Sequence, residues 1–185
     1  MNTPYRIAVL VGSLRKESLN RKLALALGAL APAALKLEIV EIGALPLYNA
    51  DLDEGIAPRE WLVFREQIRA AQGVLFVTPE FNRSVPGALK NAIDVGSRPY
   101  GQSAWAGKPC AVISLSPGAL GAFGANHHLR QSLVFLDMPA MAQPEAYIGH
   151  GGDLFDDAGE VTNAATREFL AAFMRAFAAW VERHT

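Results

Sequence analysis

The runs "RIAVLVG", "KLEIVEI", "GVLFVTP" and "KPCAVISLS" are short, and most of their residues are apolar at successive rather than alternate positions. A strand of that kind is buried on both faces, which a parallel sheet covered by helices on each side achieves. A weaker fifth run is "MPAMAQPEAYI". Helical patterns separate the runs. "SLNRKLALALGALAP" opens at a serine and stops at Pro32, and "PREWLVFREQIRAAQG" opens at Pro58 and is closed by Gly73. "PGALKNAIDVGS" and "GANHHLRQSLVFLD" are shorter. The stretch "TNAATREFLAAFMRAFAAWVERHT" predicts a long C-terminal helix capped by Thr162, with Leu170, Phe173, Phe177 and Val181 on its core face.

Five strands alternating with helices fold through right-handed crossovers into a doubly wound three-layer α/β sandwich. The expected strand order is 2-1-3-4-5, the flavodoxin-like arrangement. At 185 residues, with no repeat, low-complexity tract or linker, residues 1–185 are expected to form one domain. The longest irregular connection is "ALPLYNADLDEGIAP", residues 44–58, which is rich in apolar side chains. Ligands of such sheets bind beyond the carboxyl ends of the strands, near the switch between strands one and three. The informative loops therefore begin at Gly12, Pro79 and Ser116.

Composition removes several function classes. The chain has 17 basic and 18 acidic residues, so no overall field draws it to nucleic acid or to an anionic membrane. Cys110 is the only cysteine, which excludes a disulfide framework and a CxxC redox pair. It lies in an apolar strand and reads as an inert core thiol. No stretch is long enough to cross a bilayer and no signal-peptide pattern is present, so a cytoplasmic protein is expected. His127 and His128 are adjacent on a helix, point apart, and do not make a metal site. No GxSxG elbow marks a hydrolase.

The first loop, "GSLRKESLN", brings amides and the positive end of a helix dipole to one spot after Gly12. Ser13, Ser18 and Asn20 add neutral donors, and Arg15 adds a charged fork suited to phosphate oxygens. The spacing matches neither GxxxxGK[ST] nor GxGxxG, so a terminal monophosphate fits better than a nucleotide triphosphate or dinucleotide. A capped, solvated helix start explains the same residues without a ligand. In the second loop, "TPEFNRSVPGALKNAID", Pro79, Glu80, Phe81 and Asn82 shape a turn that leaves amides outward and exposes an aromatic edge. A flat, polar-edged heterocycle suits it, although turn chemistry alone accounts for Pro79 and Asn82. In the third loop, "SLSPGALGAFGANHHLRQ", Ser114, Ser116 and Gly118 follow strand four, and the glycines allow close backbone approach or simple flexibility.

Together, "GSLRKESLNRKLA", "TPEFNRSVPGALKNAIDVGSRP" and "SPGALGAFGANHHLRQ" resemble the NADPH-dependent FMN reductases, particularly the bacterial quinone reductases also described as chromate reductases. The similarity runs from about residue 5 to residue 183 in the same order. It implies a flavodoxin-like fold holding one non-covalent FMN per chain. By that resemblance Ser13, Arg15, Ser18 and Asn20 bind the phosphate, Pro79, Glu80, Phe81 and Asn82 border the isoalloxazine, and Ser116 and Gly118 complete the pocket. Phe81 stands where the family commonly has tyrosine, and Ala122 where relatives often have glycine. The resemblance also implies a homotetramer, a dimer of dimers, with residues of "NRSVP", Arg130 and Glu145 at its interfaces. Read from the residues alone, Arg83, Arg130 and Glu145 are equally solvated surface charges.

The implied chemistry is ping-pong exchange: NADPH or NADH gives a hydride to the flavin and leaves, and a quinone then collects two electrons. Chromate and other acceptors draw on the same flavin. No side chain is nominated as catalytic acid or base, since backbone amides stabilise negative charge on the reduced ring. Glu80 would oppose that charge, so its expected role is structural or at the pocket edge. Two other classes compete. A flavodoxin-type electron carrier shares fold and cofactor, but such carriers tend to be strongly acidic and this chain is near neutral. A phosphoryl-accepting signalling domain needs carboxylates where this chain has Gly12-Ser13, and an aspartate where it has Pro79-Glu80.

Overall fold

A computed structural model describes residues 3–185. Its elements run β1 (Tyr5–Val11), α1 (Leu19–Leu30), β2 (Leu35–Ile39), α2 (Ala50–Glu54), α3 (Arg59–Arg69), β3 (Gly73–Thr78), α4 (Gly87–Gly96), β4 (Cys110–Leu115), α5 (Phe123–Phe135), β5 (Ala146–Ile148) and α6 (Ala164–His184). The five strands pair in parallel in the order β2-β1-β3-β4-β5.

The continuous apolar runs have a direct cause. Along β1, Ile7, Val9 and Val11 pack into the layer holding Leu23 and Leu27 of α1 and Phe173 and Phe177 of α6. The intervening Ala8 and Leu10 pack on the other face, against Trp61 and Phe64 of α3 and Leu89 of α4. Successive side chains point to opposite faces, so a sheet covered twice demands hydrophobes at every position. The stripe Leu170, Phe173, Phe177 and Val181 is wholly buried, as its helical spacing requires. Cys110 is buried too, and desolvation pushes its thiol up to about 12.

Three local expectations change. The cap of α6 is Asn163, whose side chain accepts the Thr166 amide at 2.9 Å. Thr162 instead donates its hydroxyl to the carbonyls of Asp153 and Leu154. The fifth run contributes only Ala146–Ile148 as strand, with an isolated bridge from Ala140 to Cys110. The irregular 44–58 connection contains the short α2. Its backbone is satisfied by side chains of neighbouring helices: Trp61 Nε1 donates to the Pro46 carbonyl at 3.0 Å, and Asn91 Nδ2 donates to Leu45 and Pro46 carbonyls while its Oδ1 accepts the Tyr48 amide at 2.8 Å. Irregular backbone packed on a core needs such partners.

Register sets the position of the loops. Val11 lies opposite Val77, Thr78 opposite Ser114, and Leu115 opposite Ile148. The loops after β1, β3 and β4 therefore leave from one edge of the sheet.

Candidate functional site

The first loop is tied to the second at its root. The Gly12 amide donates to the Val77 carbonyl at 2.9 Å. A Cβ on Gly12 would stand 3.0 Å from Thr78 Oγ1 and 3.1 Å from Pro79 Cδ, so a side chain there would push the two loops apart. Ser18 caps α1: its buried Oγ accepts the Arg21 amide at 3.1 Å, which leaves the hydroxyl hydrogen for an incoming oxygen. The first turn of α1 carries no acidic residue, so its positive end is uncompensated.

Asn20 sits in that first turn and reaches the end of β4, donating Nδ2 to the Leu115 carbonyl at 3.2 Å, just before the third loop. Its Oδ1 is buried and has no partner, the one such side-chain atom among the described residues. Arg15 is exposed; its amide donates to Ser13 Oγ at 3.4 Å, and its guanidinium has no ion-pair or hydrogen-bond partner among the described residues. It lines a cavity of about 360 Å³ together with Ser13, Leu14, Arg21 and Glu41. Arg21 in that cavity is paired with Glu41 at 2.6 Å, and the hydrogen bond to that carboxylate raises its pKa. Arg15 remains available to an anion.

The second loop closes as a tight turn. Phe81 and Ser84 exchange both backbone hydrogen bonds at 3.0 Å. Between them Asn82 and Arg83 have φ of 51° and 62°, the geometry of a type I′ turn. Asparagine tolerates the left-handed region; arginine does so at a cost of about 1 kcal/mol. Phe81 is 52 % exposed at the turn. Glu80 is 12 % exposed and points the other way: Oε2 accepts the Ala125 amide of α5 at 3.1 Å, and Oε1 meets Arg83 Nη1 at 3.2 Å.

The third loop is held by its own backbone. The Ser116 amide donates to the Ile148 carbonyl at 3.1 Å, and its hydroxyl donates to the Gly118 carbonyl at 3.1 Å. Ser114, expected in this loop, belongs to β4. Its buried hydroxyl donates to the Gly121 carbonyl at 2.7 Å and accepts from Asn126, whose Oδ1 accepts from Arg130 Nε at 3.0 Å. Arg130 also donates to the Met141 carbonyl, so it is a half-buried brace rather than a solvated charge. Glu145 is exposed.

All ten residues named from the sequence lie on these loops or on the adjoining turn of α1, at one sheet edge. Sequence reasoning missed the group beside them. Phe123 packs on His127 and Tyr147 with ring centroids 4.2 and 5.1 Å away, and His127 Nε2 shares a 2.9 Å hydrogen bond with the Tyr147 hydroxyl. Burial, then the Glu145 carboxylate, raises the Tyr147 pKa. The Phe123 to His127 spacing was visible, but Tyr147 joins only through the placement of β5 beside α5. His128 points elsewhere, its Nδ1 lying 3.0 Å from Ser84 Oγ. Among the described residues no group of three or more His, Cys, Asp or Glu side chains is placed to hold a metal ion.

The family model for NADPH-dependent FMN reductase matches residues 5–153. The chain is 66 % identical over 182 residues to a quinone reductase of Pseudomonas putida, covering 98 % of this chain and 97 % of that protein. It is 49 % identical to a 2-hydroxy-1,4-benzoquinone reductase of a Burkholderia species, covering 95 % and 96 %. Among solved structures it resembles the flavoenzyme NAD(P)H:(acceptor) oxidoreductase FerB of Paracoccus denitrificans, with a TM-score of 0.92, 46 % identity and coverage of 97 % and 98 %. The electron-carrier and signalling readings are thereby set aside. The chain belongs to the NADPH-dependent FMN reductase family, in its quinone reductase group, as an enzyme that uses FMN and takes electrons from NAD(P)H.

Proposed function

We propose that this chain reduces quinones by two electrons in a ping-pong cycle, with FMN held across the loops after β1, β3 and β4. When bound, FMN supplies the hydride exchange between NAD(P)H and the acceptor. The protein supplies the cradle. Ser13, Arg15 and the Ser18 hydroxyl, backed by the positive end of α1, fit the phosphate. The observation that carries the reading is the buried, unpartnered Oδ1 of Asn20 at that helix start. A buried acceptor calls for a donor, and a hydroxyl such as those on the flavin side chain would supply one. Asn20 thus fits the segment next to the phosphate better than the phosphate itself, whose oxygens are acceptors.

Farther along the edge, the amides of Pro79–Asn82, proline excepted, suit the polar rim of the ring. Phe81 offers the ring an apolar contact, while Ser116 and Gly118 border the pocket. No side-chain acid or base is required of these residues. A cytoplasmic location fits the need for NAD(P)H, and among the described residues no helix is long and apolar enough to cross a membrane. The family resemblance and the outward Val134 and Phe135 of α5, 80 % and 82 % exposed, favour a homotetramer built as a dimer of dimers. Chromate reduction is read as a side activity of the same site.

Anaerobic stopped-flow mixing of the flavin-loaded protein tests the cycle. NADH or NADPH should bleach the flavin band without quinone present, and a quinone added next should restore it. A flavin band untouched by nucleotide alone, with NAD(P)H consumed only once quinone is also present, would overturn the ping-pong order.

A further inference from the structure

Helix α5 begins in an unusual way. Its N-cap residue is Ala122, in the left-handed region at φ 61°, and no side chain of its own segment caps it. The first-turn amides of a helix require acceptors, and the missing one here comes from a different loop: the Glu80 carboxylate, through Oε2, takes the Ala125 amide. The remaining oxygen, Oε1, holds Arg83, a residue in the left-handed region inside the same turn. The contact is tight. A Cβ on Gly124 would stand 2.9 Å from Glu80 Oε2 and 3.0 Å from the Arg83 carbonyl, so the helix start is shaped to admit this carboxylate.

We propose that Glu80 is a positioning residue of the flavin site: by capping α5 from the second loop, its carboxylate anchors the 79–84 turn and so sets where the turn presents its amides and Phe81. The inference rests on the reading that this turn borders the flavin ring. Both ends of the clasp matter. One carboxylate oxygen fixes the turn to a helix packed on the sheet, and the other steadies the strained Arg83 within the turn. The negative charge that would disfavour a reduced flavin is directed instead at a helix N-terminus and a guanidinium, two positive partners.

The mechanism separates ring contacts from phosphate contacts, and flavins of increasing length read the difference. Apoprotein is titrated with lumiflavin, riboflavin and FMN by quenching of flavin fluorescence, for the wild type, Glu80→Ala, Glu80→Gln, Gly124→Ala and Arg15→Ala. The ring is common to all three ligands. Glu80→Ala should therefore weaken all three by a similar factor, about tenfold for loss of a charge-assisted bond. Glu80→Gln should recover most of this, because an amide oxygen still accepts the Ala125 amide. Gly124→Ala should reproduce the Glu80→Ala pattern from the other side of the contact, and it serves as the test if Glu80→Ala fails to fold. The visible circular dichroism of bound FMN should shift in Glu80→Ala and return towards wild type in Glu80→Gln.

Wild-type lumiflavin binding in Glu80→Ala and Gly124→Ala would overturn the proposal, as would a loss confined to FMN or a Gln variant no better than Ala. Arg15→Ala distinguishes the two levels. If it weakens FMN selectively while the Glu80 variants bind like wild type, the site reading stands and the Glu80 role falls. If neither residue affects any flavin, both fall.

Discussion

Arg65 on α3 grips Asp53 on α2 with both terminal nitrogens, at 2.8 and 2.9 Å, with side chains only 2 % and 8 % exposed. Its Nε donates to the Val95 carbonyl at 2.8 Å, so one guanidinium joins the 44–58 connection to α3 and α4. Breaking one partner leaves the other charge buried alone. Asp53→Ala should cost about 3 kcal/mol or more of unfolding free energy, measured by urea denaturation of the apoprotein. The paired replacement Asp53→Leu with Arg65→Met should recover most of that loss. A single mutant as stable as wild type would show that the pair is not desolvated in solution.

Arg15 should act on the phosphate alone. Arg15→Ala is expected to raise the dissociation constant of FMN about tenfold or more, while riboflavin binding changes by no more than about twofold. Equal losses for the two ligands in fluorescence titrations would remove Arg15 from the phosphate site.

Cys110 should be silent in the folded protein. With its thiol pushed up to about 12 inside β4, almost no thiolate forms at pH 8. Iodoacetamide should leave the native protein unlabelled by mass spectrometry and modify it fully in guanidinium. Rapid native labelling would contradict the burial of the strand.

Lys108 ends β4's approach with its ammonium donating to the Arg69 and Ala71 carbonyls, at 3.1 and 2.6 Å, just past the end of α3. Desolvation lowers its pKa below the unfolded value. Between the lowered pKa and about 10.4 the unfolded chain therefore binds more protons, and the Lys108 contribution to stability rises with pH. The raised pKa of Tyr147 works in the opposite sense, its contribution falling as pH climbs past the unfolded value near 10. Urea midpoints compared between wild type and Lys108→Met from pH 7 to 10 isolate the lysine. Their difference should widen in favour of wild type as pH rises, and a constant difference would refute the assignment.

Much of the local structure around the candidate site was legible because its residues are close in sequence. Gly12 to Asn20 form one segment, and a serine before an amphipathic run announces a helix start whatever surrounds it. The turn at Phe81–Ser84 was legible as a turn, but not its type: Arg83 in the left-handed region contradicts local preference and is held by Glu80, itself fastened to α5. Arg130 read equally well as a surface charge, because Asn126 sits one turn before it on the same helix but the Met141 carbonyl meets it only when α5 folds against the chain leading to β5. The α6 cap was misplaced by one residue since Thr162 and Asn163 both have capping side chains, and the turn before the helix engages Thr162 elsewhere.

The sequence by itself determined the layered parallel sheet, since unbroken apolar runs are stable only where both faces are covered, and the alternation of five strands with helices pointed to the strand order that the structure has. It also placed the three candidate loops at one edge of the sheet, which follows from strand direction. Only the tertiary structure decided which polar atoms are spoken for. Asn20 keeps one atom unpaired, Ser114 none, and Glu80 spends its charge on a helix 45 residues away. Hydrogen-bond partners depend on distances between segments far apart in the chain, and those distances exist only once the layers have packed.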